Sequence, residues 1–176
     1  MTVVVADTSP LHYLILCEAQ EVLPVLFGRV VIPPTVLQEL KQPQTPPLVR
    51  TWAETLPPWL QVMSPTVLDP SLNVDQGEIE AISLAVEIKA TALLIDDRAG
   101  RAAARRRGIP ITGTIGVLEK AAARGLIELS RVIAKLRTTN ARLDHELYDA
   151  ALRRAELRRG SGSTDGPGQK GQGSQS

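Results

Sequence analysis

The chain has 176 residues, 43% of them hydrophobic, which is enough for one globular domain with a full core. Its single Cys17 excludes an internal disulfide, no apolar run approaches the roughly 18 residues of a membrane span, and Met1-Thr2 leads into an apolar run without a basic segment, so a soluble cytoplasmic protein with no signal peptide and no membrane partner is expected. The net charge of +1 conceals a division, with nine acids against three bases in residues 1–80 and 17 bases against ten acids in 81–176, a pattern that suits either a cation site beside a polyanion-binding face or two ordinarily solvated halves.

Val3-Val4-Val5-Ala6 reads as a strand, because a short β-branched run without polar alternation is the pattern of a parallel sheet buried on both faces. Thr8-Ser9-Pro10 is helix-start chemistry and predicts a helix from about Pro10 toward Ala19, followed by a short one to Phe27 before Gly28. Val30-Val31-Ile32 is a second strand, and Pro33-Pro34-Thr35 opens a helix through Leu40 that Pro43, Pro46 and Pro47 end. Leu48 to Leu56 is a candidate helix, and Leu60-Gln61-Val62-Met63 a candidate edge strand. Asn73 or Asp75 caps a helix to about Lys89, a strand follows at 92–95, and Arg98 to Arg107 makes a basic helix stopped by Gly108. Pro110-Ile111-Thr112 is a short strand, Thr114 caps a helix ended by Gly125, and helices near 130–137 and 143–158 follow. This alternation predicts an α/β fold, a three-layer α/β/α sandwich with a mostly parallel central sheet. The folded domain is expected over 1–158, with 159–176 a disordered Gly/Ser/Gln-rich tail that cannot bury enough apolar surface to offset chain entropy.

Two strand runs end on aspartate, at Asp7 and at Asp96-Asp97. In open α/β sheets ligands bind outside the carboxyl ends of the strands, so these acids occupy a natural site position. Glu78 shares a helical stripe with Ala81, Ile82 and Ala85 and borders the buried side, whereas Glu80 shares one with Ser83, Leu84 and Glu87 and is expected to face outward. A buried carboxylate wants a cation, either a basic side chain or a metal, unless it serves only the helix dipole. Glu39, near the end of its helix, reads either as a site acid or as a solvated one. His12 and His145 lack metal-ligand spacing, so an all-oxygen set selects Mg²⁺ or Mn²⁺ over zinc.

Arg98, Arg101, Arg105, Arg106 and Arg107 follow the second acidic strand end with no acid among them. They are candidate phosphate contacts, with Arg98 and Arg101 nearest the reacting bond, or else a solvated surface helix. The aromatic content of 3% is too small for a base-stacking platform. No Gly-rich phosphate loop, Gly-x-Ser-x-Gly elbow or Asp-x-Asp after the first strand is present.

The strand ending in Asp7-Thr8-Ser9-Pro10, the segment Val31-Ile32-Pro33-Pro34-Thr35-Val36-Leu37-Gln38-Glu39, the helix start Asp75-Gln76-Gly77-Glu78-Ile79-Glu80-Ala81-Ile82, and Leu93-Leu94-Ile95-Asp96-Asp97-Arg98 together resemble the PIN domain. More narrowly they resemble the prokaryotic PIN subgroup related to VapC-type toxin ribonucleases, over about Val3 to Arg154. The resemblance implies an acidic site of Asp7, Glu39, Glu78 and Asp97 that binds Mg²⁺ or Mn²⁺, with Asp96 the alternative fourth ligand. This chain has Glu78 where the family pattern usually has Asp, and Ile95 where many members have Thr or Ser. Thr8 or Ser9 then orients Asp7 or a metal-bound water, or simply caps the helix. The implied activity is that of a metal-dependent endoribonuclease, one setting being the toxin of a type II toxin–antitoxin pair, with RNA, an antitoxin protein and a second copy of the chain as partners. Such a hydrolysis needs no protein nucleophile, and crowded acids raise one another's pKa until a cation enters. Two alternatives stay open: a catalytically silent PIN module that binds RNA or a protein, and a receiver-like phosphoacceptor, which wants an acid pair after its first strand.

Overall fold

A computed structural model describes residues 2–139 and 144–162. In chain order the elements are β1 (Val3–Ala6), α1 (Thr8–Leu16), α2 (Val22–Phe27), β2 (Arg29–Ile32), α3 (Pro34–Leu40), α4 (Pro47–Glu54), β3 (Leu60–Val62), α5 (Gln76–Glu87), β4 (Ala92–Leu94), α6 (Arg98–Arg106), β5 (Ile111–Thr112), α7 (Thr114–Ala123), α8 (Leu129–Arg137) and α9 (His145–Ser161). The strands form one sheet in the order β3-β2-β1-β4-β5. Every pairing is parallel, with Val4 opposite Val30 and Val5 opposite Leu93. The chain winds outward from β1 in one direction, then returns to its other side at β4. The β1/β4 junction is therefore the switch point, where two crossovers leave in opposite directions and open a crevice.

Strand alternation sorts the core into two layers. Val4, Ala6, Val30, Ile32 and Leu94 face one cluster, built with residues of α1 to α4 and α7 to α9, while Val5, Val31, Leu93 and Ile95 face the other, built with α5 and α6. Leu14 on the first side and Ile82 on the second are both fully buried. Truncating either to Ala costs about 2–5 kcal/mol, so both layers hold the sheet. The three-layer reading and the parallel sheet both stand, with β3 at the edge.

Differences are local. The first helix begins at Thr8 rather than Pro10 because Asp7 already occupies its cap position. Thr114 is the first helical residue of α7, capped by Gly113 rather than serving as the cap. Gly108 (φ 70°) and Gly125 (φ 71°) follow α6 and α7 in the left-handed conformation that the glycine stops imply. The last helix runs to Ser161, past the expected start of the tail at 159, and the tail from 163 onward lies outside the described residues. No described helix is long and apolar enough to cross a membrane.

Candidate functional site

Asp7 follows β1 directly, and its backbone N–H donates to the Leu94 carbonyl at 2.9 Å, which fixes it at the β1/β4 junction. Only 5% of it is exposed. Burial first, then the charges of Glu78, Asp75 and Glu39, push its carboxyl from 3.8 to about 8, against the opposing pull of the Thr8 backbone N–H. The Thr8 hydroxyl donates to the Glu39 carboxylate, tying α1 to α3, and the cap position of α1 belongs to Asp7 rather than to Thr8. Ser9 lies half-buried one residue further into α1.

Glu39 is half-buried near the end of α3, and its carboxyl is raised by burial and by Asp75 and Glu80, although the Thr8 hydrogen bond lowers it. The helix carrying it is held from a distance. Glu80 accepts from the Thr35 hydroxyl at 2.7 Å and from the Thr35 N–H at 3.3 Å, closing the open start of α3. Glu80 therefore does not face outward as its stripe predicts; the incoming α3 turns its position into an interhelical one.

At the start of α5, Asp75 and Glu78 form a reciprocal capping box: Asp75 Oδ1 accepts from the Glu78 N–H at 2.9 Å, and Glu78 Oε2 accepts from the Asp75 N–H at 3.3 Å. Glu78 thus stabilises its helix end, yet it also borders the crevice with only 3% of its surface exposed. Burial, then Asp75 and Asp97, lift its carboxyl to about 7, with Asp97 the acid that faces it from α6. Asp75 was legible as a cap, but its place among the acids follows only from the fold.

Asp96 and Asp97 diverge. Asp96 accepts from the Thr114 N–H at 2.7 Å and from the Thr114 hydroxyl at 2.6 Å, with Arg101 alongside, so it fastens β4 to the start of α7. Burial nonetheless raises its carboxyl, against those hydrogen bonds. Asp97 turns the other way, capping α6 through the Gly100 N–H at 3.0 Å and meeting Glu78. Among the described residues no ion pair reaches Asp7, Glu39, Glu78 or Asp97.

The family model for the PIN domain matches residues 3–157. The chain belongs to the PIN-domain family. PIN domains are generally nucleases and typically use divalent metals. A PilT N-terminus domain protein from the hyperthermophilic archaeon Sulfolobus solfataricus P2 shares the fold, with a TM-score of 0.50 and 17% identity over 68% of this chain and 93% of that chain. No curated protein matches the chain.

In this PIN domain the donor set suits a hard divalent cation: it is all oxygen, buried at Asp7 and Glu78, half-buried at Glu39 and exposed at Asp97, and uncompensated by any base among the described residues. Among the described residues, no three Asp, Glu, His or Cys side chains converge into a ready-made metal cage. The histidines lie elsewhere, His12 edge-on to Tyr13 and His145 edge-on to Tyr148. The basic run of the PIN domain divides by use. Arg101 donates to the Ile95 carbonyl at 2.9 Å beside Asp96, and Arg107 pairs with Asp69 at 2.6 Å and bonds Ser71, so both are structural ties. Arg98, Arg105 and Arg106 are exposed. A groove of about 670 Å³ runs between residues 71–74 and α6, with Arg106 and Arg107 on its wall.

Proposed function

We propose that this PIN domain is a metal-dependent ribonuclease that hydrolyses RNA phosphodiesters, with Asp7, Glu39, Glu78 and Asp97 holding Mg²⁺ or Mn²⁺. The observation that carries the reading is the buried pair Asp7 and Glu78 at the switch point, with Glu39 and Asp97 beside them and, among the described residues, no basic partner. A bound divalent cation supplies Lewis-acid activation of water and neutralises charge at the phosphoryl group. The chain's own groups prepare that environment. Asp7 and Glu78, whose carboxyls are lifted to about 8 and about 7, would have to give up their protons to hold the cation, and the Thr8 hydroxyl steadies Glu39. Asp97 meets Glu78 across the crevice while its own backbone opens α6. Asp96 acts as a tie to α7 rather than as the fourth ligand.

Positive charge for the substrate backbone comes from Arg98 and, along the neighbouring groove, from Arg106. Arg101, already bonded to the Ile95 carbonyl beside Asp96, contributes through position rather than phosphate contact. The receiver alternative is disfavoured by the strand order β3-β2-β1-β4-β5, since receivers follow the flavodoxin-like order 2-1-3-4-5.

The test is cleavage of a labelled single-stranded RNA by the purified full chain. Cleavage should require Mg²⁺ or Mn²⁺, stop in excess EDTA and resume when metal is restored. Cleavage that survives complete metal removal overturns the mechanism. Mn²⁺ binding without cleavage of any RNA would favour the silent binding module.

A further inference from the structure

Four glycines of this chain form a contrast. Gly108 and Gly125 have positive φ and open space where a side chain would go, so the backbone conformation alone calls for them. Gly77 and Gly100 lie inside α5 and α6 without a positive φ, where alanine is the better helix former. Within α6 the contrast is plain in the run Arg98-Ala99-Gly100-Arg101-Ala102-Ala103-Ala104, where every neighbour of similar size is alanine. A locally unfavourable residue points to a constraint from elsewhere in the fold.

A carboxylate is the constraint at position 77 and part of it at position 100. A Cβ at position 77 would lie 2.8 Å from Glu39 Oε1, 3.1 Å from Oε2 and 3.3 Å from its carboxyl carbon, so its nearest neighbours all belong to one group. A Cβ at position 100 would lie 2.6 Å from Glu78 Oε1 and 2.5 Å from Ile95 Cδ1. Glu39 is thus held between the Thr8 hydroxyl and the bare backbone of α5. Glu78 is held between the Asp75 N–H and the bare backbone of α6.

We propose that Gly77 and Gly100 are positioning residues whose missing side chains admit the carboxylates of Glu39 and Glu78 to the crevice, a proposal that rests on reading the crevice as a cation site. Metal coordination tolerates ligand displacements of only about 0.2 Å. A methyl group at either position moves the facing carboxylate by more than that.

Gly77→Ala is the cleaner variant, because position 100 also crowds Ile95. Melting temperatures in EDTA for the wild type, Gly77→Ala, Glu39→Ala and the double variant form a thermodynamic cycle that needs no metal. The expected result is non-additivity: alanine at 77 raises the melting temperature when Glu39 is truncated, and raises it less or lowers it when Glu39 is present. Calorimetric titration with Mn²⁺ should show Gly77→Ala losing about 10- to 100-fold in affinity. An additive cycle overturns the proposal, since the glycine would then serve the backbone alone. A non-additive cycle in a wild-type protein that does not bind Mn²⁺ establishes the seat for Glu39 and refutes the cation reading instead.

Discussion

On the carboxyl-terminal helices, acids meet bases. Glu119 of α7 accepts from Arg154 at 2.7 and 3.2 Å and lies 3.5 Å from Arg158, Asp149 pairs with Arg137, and Lys135 reaches back to Glu18. At the carboxyl ends of β1 and β4, acids meet one another: Asp7 lies under the charges of Glu78, Asp75 and Glu39, and Glu78 under those of Asp75 and Asp97. The paired acids are partly solvated, and pairs of that kind contribute about 0–1 kcal/mol each. Asp7 and Glu78 are buried, and their crowding with half-buried Glu39 and exposed Asp75 and Asp97 raises the energy of the folded state, because desolvated like charges repel. A fold selected for stability alone would fill that position with apolar side chains. In the proposed reading, a ligand that supplies positive charge relieves this repulsion at the switch point of the sheet.

The comparison breaks most visibly at Asp7 and Asp97. Asp7→Asn and Asp97→Asn are each expected to lower RNA cleavage by about 100-fold or more, whereas Asp96→Asn, which can still accept from the Thr114 N–H, should retain most of the activity. Initial rates at saturating Mn²⁺ distinguish the two aspartates, and an equal loss at Asp96 would return it to the ligand set.

Next in size is the response to pH. Asp7 and Glu78 are raised from 3.8 and 4.5 to about 8 and about 7, so the folded state holds protons that the unfolded chain has released. Their contribution to stability is complete below about pH 4 and is lost as pH rises through 7 to 8. His12, held below 6.5 by burial, acts oppositely in the acid part of that range. Scanning calorimetry in EDTA should therefore show a melting temperature lower at pH 8 than at pH 6 by about 5 °C. In Asp7→Asn that slope should flatten, which isolates the carboxylate from the histidine.

A smaller effect divides the arginines. Arg98→Ala should reduce the log–log salt slope of RNA binding by about one unit, while Arg107→Ala should leave the slope alone and lower stability through the lost Asp69 pair. Smallest of all, Glu119→Gln should cost no more than about 1 kcal/mol in thermal unfolding, since both its arginines are half exposed.

The strands, the helices and their order were legible because strong local signals agreed: β-branched runs at 3–6 and 30–32, prolines opening α3, and Gly108 and Gly125 closing α6 and α7. The acids at the strand ends followed from the same patterning. What sequence left open was decided by partners far along the chain. Thr8 meets Glu39 31 residues away, Thr35 meets Glu80 45 residues away, and Arg107 meets Asp69 38 residues away. No helical stripe or cap rule reports such pairings. The same holds for Asp75, whose capping role is local but whose charge on Asp7 is tertiary.

The central claim, that the crevice carboxylates repel one another until a cation neutralises them, is tested most directly by thermal unfolding of the wild type and Asp7→Asn, each in EDTA and in Mn²⁺. The account predicts that Asp7→Asn melts at the wild-type temperature or above it in EDTA and gains little from Mn²⁺, while the wild type gains clearly. A much lower melting temperature for Asp7→Asn in EDTA, with its Mn²⁺ response intact, would contradict it.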